Sequence, residues 1–208
     1  MGKLYELVKR SMDLAAAGVG LAALAPLLGA IAVAVKADSP GPVLFRQRRL
    51  GRNGEIFELL KFRTMKHGAS VIIGGDHTVV NPVNDDRVTR VGAMLRKASL
   101  DELPQLINVL FGQMTLVGPR PDLPEGLQVY DSHQRRKLEV KPGITGLAQI
   151  SGRNLLSAEE KWEFDVKYVD SRSLLTDALI LLRTFGKVFS AAGIYKTENK
   201  ATADRGKP

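Results

Sequence analysis

The sequence predicts an α+β protein in which an apolar N-terminal helix precedes a small, mostly helical domain with a short β-hairpin. Three observations support this prediction. Residues 14–35 contain no charged side chain. Residues 43–63 contain two short segments of strand-forming residues on either side of a Gly-containing turn. From residue 88 onwards, apolar residues recur at helical spacing.

The composition is that of a folded chain with anionic partners. The 208 residues suit one domain plus an appendage, and a hydrophobic fraction of 44% excludes global disorder. The net charge of +8 indicates partners such as nucleic acid, acidic lipid head groups or phosphorylated substrates. The chain has no cysteine, which excludes disulfides, thiolate metal sites and cysteine nucleophiles.

The apolar run at residues 14–35 is the first predicted element. As a straight helix it would be roughly 33 Å long, against about 30 Å for a hydrocarbon core. The hydrophobic part of a cleaved signal peptide is shorter, about 7–15 residues, which disfavours that interpretation. Two alternatives stay open: a helix that spans the membrane, and a re-entrant helix that enters and leaves by one face.

Pro26 and the flanking charges favour the re-entrant alternative. Proline removes a backbone donor and clashes with the carbonyl of Ala22, so we expect a break at Ala25–Pro26. A spanning helix usually has basic residues at one end, whereas this run has them at both ends, which fits two ends in the cytoplasm. The basic residues are Lys3, Lys9 and Arg10 before the run, and Lys36, Arg46, Arg48, Arg49 and Arg52 after it.

The rest of the chain reads as a hairpin followed by helices. The Gly-, Asn- and Asp-rich residues 67–86 are interpreted as a loop whose His and Asp side chains lack the spacing of a metal site. An apolar stripe at Leu103, Leu106, Ile107 and Leu110 predicts a helix that begins near Asp101. Strands are predicted at 43–47 and 55–63, a turn at 51–54, and further helices at 88–97, 128–140, 158–169 and 174–191.

Two adjacent carboxylates, Asp101 and Glu102, have two possible explanations. The residues from Ser99 to Glu102 match a capping box, and acidic residues complement the dipole of a first helical turn. Alternatively, one carboxylate is a nucleophile toward phosphorus and the other holds Mg²⁺. Lys61, Arg63 and Arg120 are then candidates to bind phosphate, with Arg120 held between two prolines.

Taken together, the ordered motifs resemble the monotopic phosphoglycosyl transferases, the bacterial sugar transferase family that initiates the assembly of surface glycans. The resemblance covers residues 9–191. It is carried by Lys-Arg-x-x-Asp at 9–13, KFRTM at 61–65, SLDELPQLINVLFGQMTLVGPRP at 99–121, KPGITGLAQISGRN at 141–154 and FDVKYV at 164–169.

The resemblance implies a reaction: a nucleotide diphosphate sugar, usually a UDP-sugar, gives its sugar-1-phosphate to polyprenyl (undecaprenyl) phosphate and releases UMP. It implies Asp101 as the nucleophile of a covalent phosphosugar intermediate, and Arg120 as the phosphate ligand of the Pro-Arg-Pro motif. Glu102, together with Asp101, would hold Mg²⁺. The matching motifs supply candidates for the phosphate at Lys61 and Arg63, and for the nucleotide or sugar at Gln149, Arg153, Asp165 and Tyr168.

The resemblance also implies a monotopic protein on the cytoplasmic face of the bacterial inner membrane. We expect a re-entrant helix over residues 1–37, a catalytic domain with interfacial amphipathic helices over 38–195, and a polar tail over 196–208. Family members often carry Ser-Pro at the break, whereas Ala25 has no hydroxyl to satisfy the freed carbonyls.

Two other functions are compatible with the residues alone. A membrane-attached, Mg²⁺-dependent phosphohydrolase would need the same carboxylates and cations but no lipid acceptor. A non-enzymatic anion binder would use the basic side chains of residues 46–52. No aromatic stacking platform accompanies these side chains, so we expect membrane lipids as partners and no nucleic acid. The oligomeric state stays open.

Overall fold

The structure, a computed structural model, describes residues 3–70, 72, 82, 85–152 and 156–190, with side chains of the last helix described to residue 186. It is a mixed assembly of helices and small sheets that begins with a long apolar helix. The elements are α1 (Lys3–Asp38), β1 (Leu44–Leu50), β2 (Ile56–Phe62), α2 (Arg90–Ala98), α3 (Gln105–Leu110), β3 (Thr115–Val117), β4 (Gly143–Thr145), α4 (Leu147–Ser151), α5 (Ala158–Ser171) and α6 (Leu174–Ser190).

Helix α1 is long and apolar enough to cross a membrane, and its most apolar window is only 11% buried. Large apolar side chains such as Val19, Leu27 and Val33 point away from the domain. The helix assignment runs through Pro26, so the predicted break at that residue is not confirmed. What is established is an apolar helix that can serve as a membrane anchor.

Both ends of α1 are fixed to the domain. Near the start, the buried carboxylate of Asp13 accepts hydrogen bonds from the Thr115 hydroxyl (2.5 Å) and the Leu116 N–H (3.1 Å). Near the end, Ile31 and Val35 are buried against a cluster that includes Phe62 and Leu95. The two ends of the apolar run therefore contact one and the same domain.

The predicted hairpin is confirmed. Strands β1 and β2 pair antiparallel, with Leu44 opposite Phe62 and Leu50 opposite Ile56. The turn between them is a 3₁₀ turn, Arg52–Gly54, in which Asn53 and Gly54 have positive φ. The Asn108 side chain joins the hairpin to α3, because it accepts from the Leu60 N–H (3.0 Å) and donates to the Glu58 carbonyl (2.7 Å).

A second sheet was not predicted. Strands β3 and β4 pair parallel, with Thr115 opposite Gly143 and Val117 opposite Thr145. A Cβ at Gly143 would lie 2.1 Å from the Gly118 nitrogen, so this backbone approach requires glycine. Helices α4, α5 and α6 cover the sheet through a buried cluster of Val117, Ile150, Tyr168 and Ile180.

The helix predicted at residues 128–140 is wrong. The segment instead starts at the last residue of one 3₁₀ turn, Pro124–Gln128, and contains a second, Gln134–Glu139. The Asp131 carboxylate accepts from the Gln134 N–H (2.7 Å), and the Arg135 guanidinium donates to the Leu127 carbonyl (2.7 Å). Such side chain–backbone bonds compete with the helical ladder. The predicted tail, 196–208, and most of the predicted loop at 67–86 lie outside the described residues.

Candidate active site

Asp101 and Glu102 lie in a 3₁₀ turn, Leu100–Glu102, between α2 and α3. Ser99 has φ 55° and ψ 21°, the left-handed conformation that closes α2, and its side chain makes no capping bond. The capping-box explanation of residues 99–102 is therefore wrong, because the Ser99 side chain makes no hydrogen bond to the turn that it precedes. A capping box is observed instead between Ser157 and Glu160, at the start of α5.

Glu102 is held by two cations from other parts of the fold. Its Oε1 accepts from Lys61 Nζ on β2 at 2.8 Å and from Arg120 Nη2, just beyond β3, at 2.9 Å. The side chains of Lys61 and Glu102 are 17% and 20% exposed, and that of Arg120 is 44% exposed. The site is thus sheltered on the strand side and open on the Arg120 side.

The two neighbouring carboxyls have opposite pKa shifts. Burial opposes ionisation of Glu102, but Arg120 and Lys61 outweigh it and hold the pKa of Glu102 well below its ordinary value. Burial and the charge of Glu102 raise the pKa of Asp101, against the opposing effect of Lys61, Arg96 and Arg120. Glu102 is therefore a fixed anion, whereas Asp101 is the more basic carboxyl and the stronger nucleophile once ionised.

Both carboxyls line a cavity of about 890 Å³, which is within the size range of small-molecule sites. Helices α4 and α5 contribute to its other walls. The cavity brings together six of the residues that were predicted from the sequence: Lys61, Asp101, Glu102, Arg120, Gln149 and Asp165.

Arg63 also borders the cavity, but its guanidinium serves another purpose. An arginine has five N–H donors, and those of Arg63 are matched by five acceptors at the end of α1 and in the loop that follows it. The acceptors are the carbonyls of Val35, Ser39, Pro40 and Pro42 and the hydroxyl of Ser39. With this buried side chain already saturated, we assign Arg63 to anchoring α1 and leave it out of the phosphate site.

Tyr168 is not brought to the cavity. Its hydroxyl lies behind the parallel sheet, 2.9 Å from the Val117 carbonyl and 2.7 Å from Asp177 Oδ1, and the residue is 1% exposed. Tyr168 therefore packs α5 against the sheet instead of contacting the nucleotide or sugar. Arg153, predicted for the same role, lies outside the described residues.

A buried network that the sequence did not reveal is centred on Asp122, two residues beyond Arg120. Asp122 Oδ2 accepts from the Tyr130 hydroxyl (2.5 Å), Lys137 Nζ (2.7 Å) and Trp162 Nε1 (3.0 Å). Lys137 Nζ is also 2.7 Å from Asp165 Oδ2. Burial, against the opposing charge of Lys137, raises the pKa of Asp165 to about 6.

Arg49 was predicted only as one of the basic residues that follow the apolar run, but the structure places it at the cavity. It lines the cavity, and its Nη1 donates to the Pro121 carbonyl at 3.1 Å. Burial and the neighbouring Arg120 lower the pKa of Arg49 to about 10, so it stays charged at neutral pH. The sequence carried no signal that set Arg49 apart, since Arg46 on the same strand lines the cavity as well.

The donor set fits Mg²⁺ that is shared with a substrate. Across the described ranges, no three His, Cys, Asp or Glu side chains are grouped as a metal site. Mg²⁺ often takes only one or two carboxylates and completes its shell with water and substrate phosphates. The paired Asp101 and Glu102, beside the cations Lys61 and Arg120, match that chemistry.

Comparison with known proteins gives concordant similarities. A family model described as bacterial sugar transferase matches residues 4–191. Exopolysaccharide production protein ExoY of Rhizobium meliloti (strain 1021) is 42% identical over 201 residues, covering 91% of this chain and 88% of that protein. The uncharacterized sugar transferase EpsL of Bacillus subtilis (strain 168) is 44% identical over 200 residues, covering 96% and 95%. UDP-glucose:undecaprenyl-phosphate glucose-1-phosphate transferase of Escherichia coli (strain K12) is 42% identical over 204 residues, covering 91% of this chain and 42% of that protein.

Proposed function

The chain belongs to the bacterial sugar transferase family of phosphoglycosyl transferases, and we propose that it transfers a sugar-1-phosphate from a UDP-sugar to undecaprenyl phosphate. The observation that carries this proposal is a cavity in which a fixed anion, Glu102, is held by two cations beside a more basic carboxyl, Asp101. The name of the Escherichia coli relative supports the substrate class.

The proposed reaction has two steps at one phosphorus. In the first, an Asp101 oxygen attacks the phosphorus that bears the sugar, and the bond from this phosphorus to the bridging oxygen breaks, so that UMP leaves. In the second, a phosphate oxygen of undecaprenyl phosphate attacks the same phosphorus, and the bond to Asp101 breaks. The carboxylate is regenerated, and the product is a lipid diphosphate sugar.

The cations stabilise the charge that both steps develop. Lys61 and Arg120 are oriented by Glu102, so their N–H groups are fixed before a phosphate arrives. Mg²⁺, held by Glu102 beside Asp101, would supply further neutralisation of the diphosphate charge. Asp101 needs no general base because it attacks as a carboxylate.

We further propose that α1 is re-entrant, with the domain on the cytoplasmic face of the inner membrane. Asp13 and Val35 lie near opposite ends of the apolar run, yet both contact the same domain. A domain outside the bilayer cannot contact both ends of a spanning helix. The exposed apolar side chains of α6, such as Leu175, Leu182 and Phe185, support its placement at the membrane surface.

Labelling of single cysteines tests this topology. The chain has no natural cysteine, so Lys3→Cys and Glu55→Cys each introduce one accessible thiol, before α1 and within the domain. Both should resist an impermeant thiol reagent in intact cells and react after permeabilisation. Labelling of Lys3→Cys alone from outside would show that α1 spans.

The transfer itself is tested with purified protein in detergent. We expect multiple turnovers of UMP release only when polyprenyl phosphate is present, together with formation of the lipid diphosphate sugar. Multiple turnovers without lipid would instead show hydrolysis, and binding without turnover would show an anion binder.

A further inference from the structure

The turn that carries Arg120, residues 119–122, is fixed along its backbone. Three of its carbonyl groups accept hydrogen bonds from residues of strands β1 and β4. They are the carbonyls of Pro119, from the Gly143 N–H (2.8 Å), of Pro121, from Arg49 Nη1 (3.1 Å), and of Asp122, from the Leu50 N–H (2.9 Å). The two prolines restrict the turn further, because the pyrrolidine ring fixes φ. The backbone on either side of Arg120 therefore has little freedom.

Arg120 supplies the only backbone N–H of residues 119–121, because proline has none. The group that faces this N–H is the buried carboxyl of Asp165 on α5. Burial raises the pKa of Asp165 to about 6, while Lys137 and hydrogen bonding from the Arg120 N–H act to lower it. A backbone donor that is enclosed without an acceptor is costly, so the turn depends on Asp165 to satisfy this N–H.

Lys137 joins the two carboxylates that border the turn. Its Nζ is 2.7 Å from Asp122 Oδ2 and 2.7 Å from Asp165 Oδ2, and its side chain is 2% exposed. The Tyr130 hydroxyl and Trp162 Nε1 also donate to Asp122 Oδ2. Burial opposes the charge of Lys137, but Asp122 and Asp165 outweigh it and hold the pKa of Lys137 above its ordinary value. A buried, permanently charged lysine therefore links the Asp122 side chain to Asp165.

Loss of the Lys137 charge would disturb the turn from two sides. Both carboxylate oxygens contact the same ammonium group, so without it two buried carboxylates would repel each other. They could relieve the repulsion by moving apart or by binding a proton. Either change affects Arg120, because Asp122 belongs to its turn and Asp165 faces its N–H.

We propose that Lys137 and Asp165 are positioning residues, which act on the transferred phosphate through Arg120. The Arg120 side chain is 44% exposed and pairs with Glu102, so its direction depends on the backbone that carries it. This inference rests on the proposed function, in which Arg120 stabilises the charge on the phosphate. It assigns Asp165 to the support of the turn, in place of a contact with the nucleotide or the sugar.

A double-mutant cycle between Lys137→Met and Arg120→Met tests the proposal. The readout is kcat for transfer to undecaprenyl phosphate from UDP-glucose, or from UDP-galactose if the wild type uses that donor. Because a small misplacement of a catalytic group is costly, Lys137→Met alone should lower kcat between about ten- and a hundredfold. In the Arg120→Met background it should lower kcat by less than about twofold, because the group through which it acts is gone.

A purely structural role of Lys137 gives a different result. Loss of folded protein lowers kcat by the same factor whether or not Arg120 is present. The matched control is Lys9→Met, because Lys9 Nζ is also 2.7 Å from a carboxylate, Asp177 Oδ2, and its side chain is 13% exposed. This variant should lower the thermal midpoint and leave kcat unchanged in both backgrounds, when rates are measured well below that midpoint.

Asp165→Asn takes the place of Lys137→Met if that variant does not fold. Its single amide oxygen cannot serve both Lys137 and the Arg120 N–H as the carboxylate does, and its NH₂ group would face a donor. It should lower kcat in the same Arg120-dependent way, and hydrogen exchange at the Arg120 N–H should be faster than in the wild type. Exchange at the Gly118 N–H, which donates to the Thr145 carbonyl at 2.9 Å, should be unchanged.

Failure of the positioning role and failure of the proposed function have different signatures. Normal transfer by the wild type, with effects of Lys137→Met and Arg120→Met that multiply, would overturn the positioning role alone. Weaker binding of the UDP-sugar to Asp165→Asn, with unchanged kcat and unchanged exchange at Arg120, would also overturn it and would make Asp165 a ligand contact. A wild-type protein that transfers sugar phosphate from neither UDP-glucose nor UDP-galactose would overturn the proposed function, and the positioning role with it.

Discussion

Replacing Glu102 by Gln separates a structural role of this carboxylate from a chemical one. Its Oε1 accepts charge-assisted bonds from Lys61 (2.8 Å) and Arg120 (2.9 Å). When fully buried, such bonds contribute about 1.5–3 kcal/mol each. Here the Arg120 side chain is 44% exposed, which screens the interaction. The amide oxygen of Gln can still accept both bonds, so we expect the free energy of unfolding to fall by only about 1–2 kcal/mol.

The expected effect of Glu102→Gln on the reaction is larger. The variant loses the anionic Mg²⁺ ligand and the charge that orients Lys61 and Arg120 toward the phosphates. Removing one group that stabilises transition-state charge lowers kcat by about 10²–10³-fold, or about 3–4 kcal/mol. The loss of activity should therefore exceed what the fraction of unfolded protein can explain.

The assay combines chemical denaturation with initial rates of UMP release over a range of Mg²⁺ concentrations. The matched control is Glu58→Gln, because Glu58 pairs with Arg46 at 3.4 Å on the exposed face of the hairpin. That variant should retain wild-type kcat and stability. A Glu102→Gln enzyme with wild-type turnover and wild-type Mg²⁺ dependence would refute the metal role of Glu102.

Three further changes test other parts of the structure. Arg63→Met removes five hydrogen bonds that anchor α1 and should lower the thermal midpoint and speed proteolysis after Asp38. Gly92→Ala places a Cβ 2.1 Å from the Thr64 carbonyl oxygen and should cost at least about 1–3 kcal/mol in denaturant unfolding. The pKa of Asp165 is about 6 against an ordinary 3.8. The folded state therefore binds this proton more tightly, and the stability that it contributes, about 3 kcal/mol in all, is fully present well below pH 4 and is lost as pH rises past about 6. Asp165→Asn should lack this part of the pH dependence of unfolding.

Each of these changes has a control. For Arg63→Met the control is Arg46→Met, at an exposed arginine, which should leave the thermal midpoint unchanged. For Asp165→Asn the control is Asp170→Asn, at an exposed aspartate, which should leave the pH dependence of unfolding unchanged. Gly18 has no atom within 4 Å of a built Cβ, so Gly18→Ala should be neutral or stabilising in its helix. Equal effects of a test variant and its control, or an Asp165→Asn protein with wild-type pH dependence, would contradict the corresponding argument.

The sequence predicted the elements whose signals are local. An uncharged run long enough for a membrane predicted α1, and two strand-forming segments around a turn predicted the hairpin. The adjacent Asp101 and Glu102 were identified as the candidate site, and the cavity that they line was found in the structure. In these cases the residues that determine the feature are neighbours in the chain.

The sequence could not predict features that depend on distant contacts. Strands β3 and β4 are three residues each, too short for a periodic pattern, and they pair across a long segment of chain. The role of Arg63 was set by acceptors beyond the end of α1. The buried position of Lys137, between Asp122 and Asp165, was obscured because its segment was interpreted as a helix.

The central claim is that Asp101 forms a covalent bond to the transferred phosphosugar, and intact-protein mass spectrometry tests it most directly. Wild-type enzyme given UDP-sugar and Mg²⁺ without lipid should release UMP up to about one equivalent and gain the mass of one phosphosugar. Proteolysis should place the added mass on the peptide that contains Asp101. Asp101→Asn should show neither the burst nor the adduct, because an amide is a poor nucleophile. Release of UMP only in the presence of polyprenyl phosphate, with no adduct at any time, would contradict the claim and favour direct transfer.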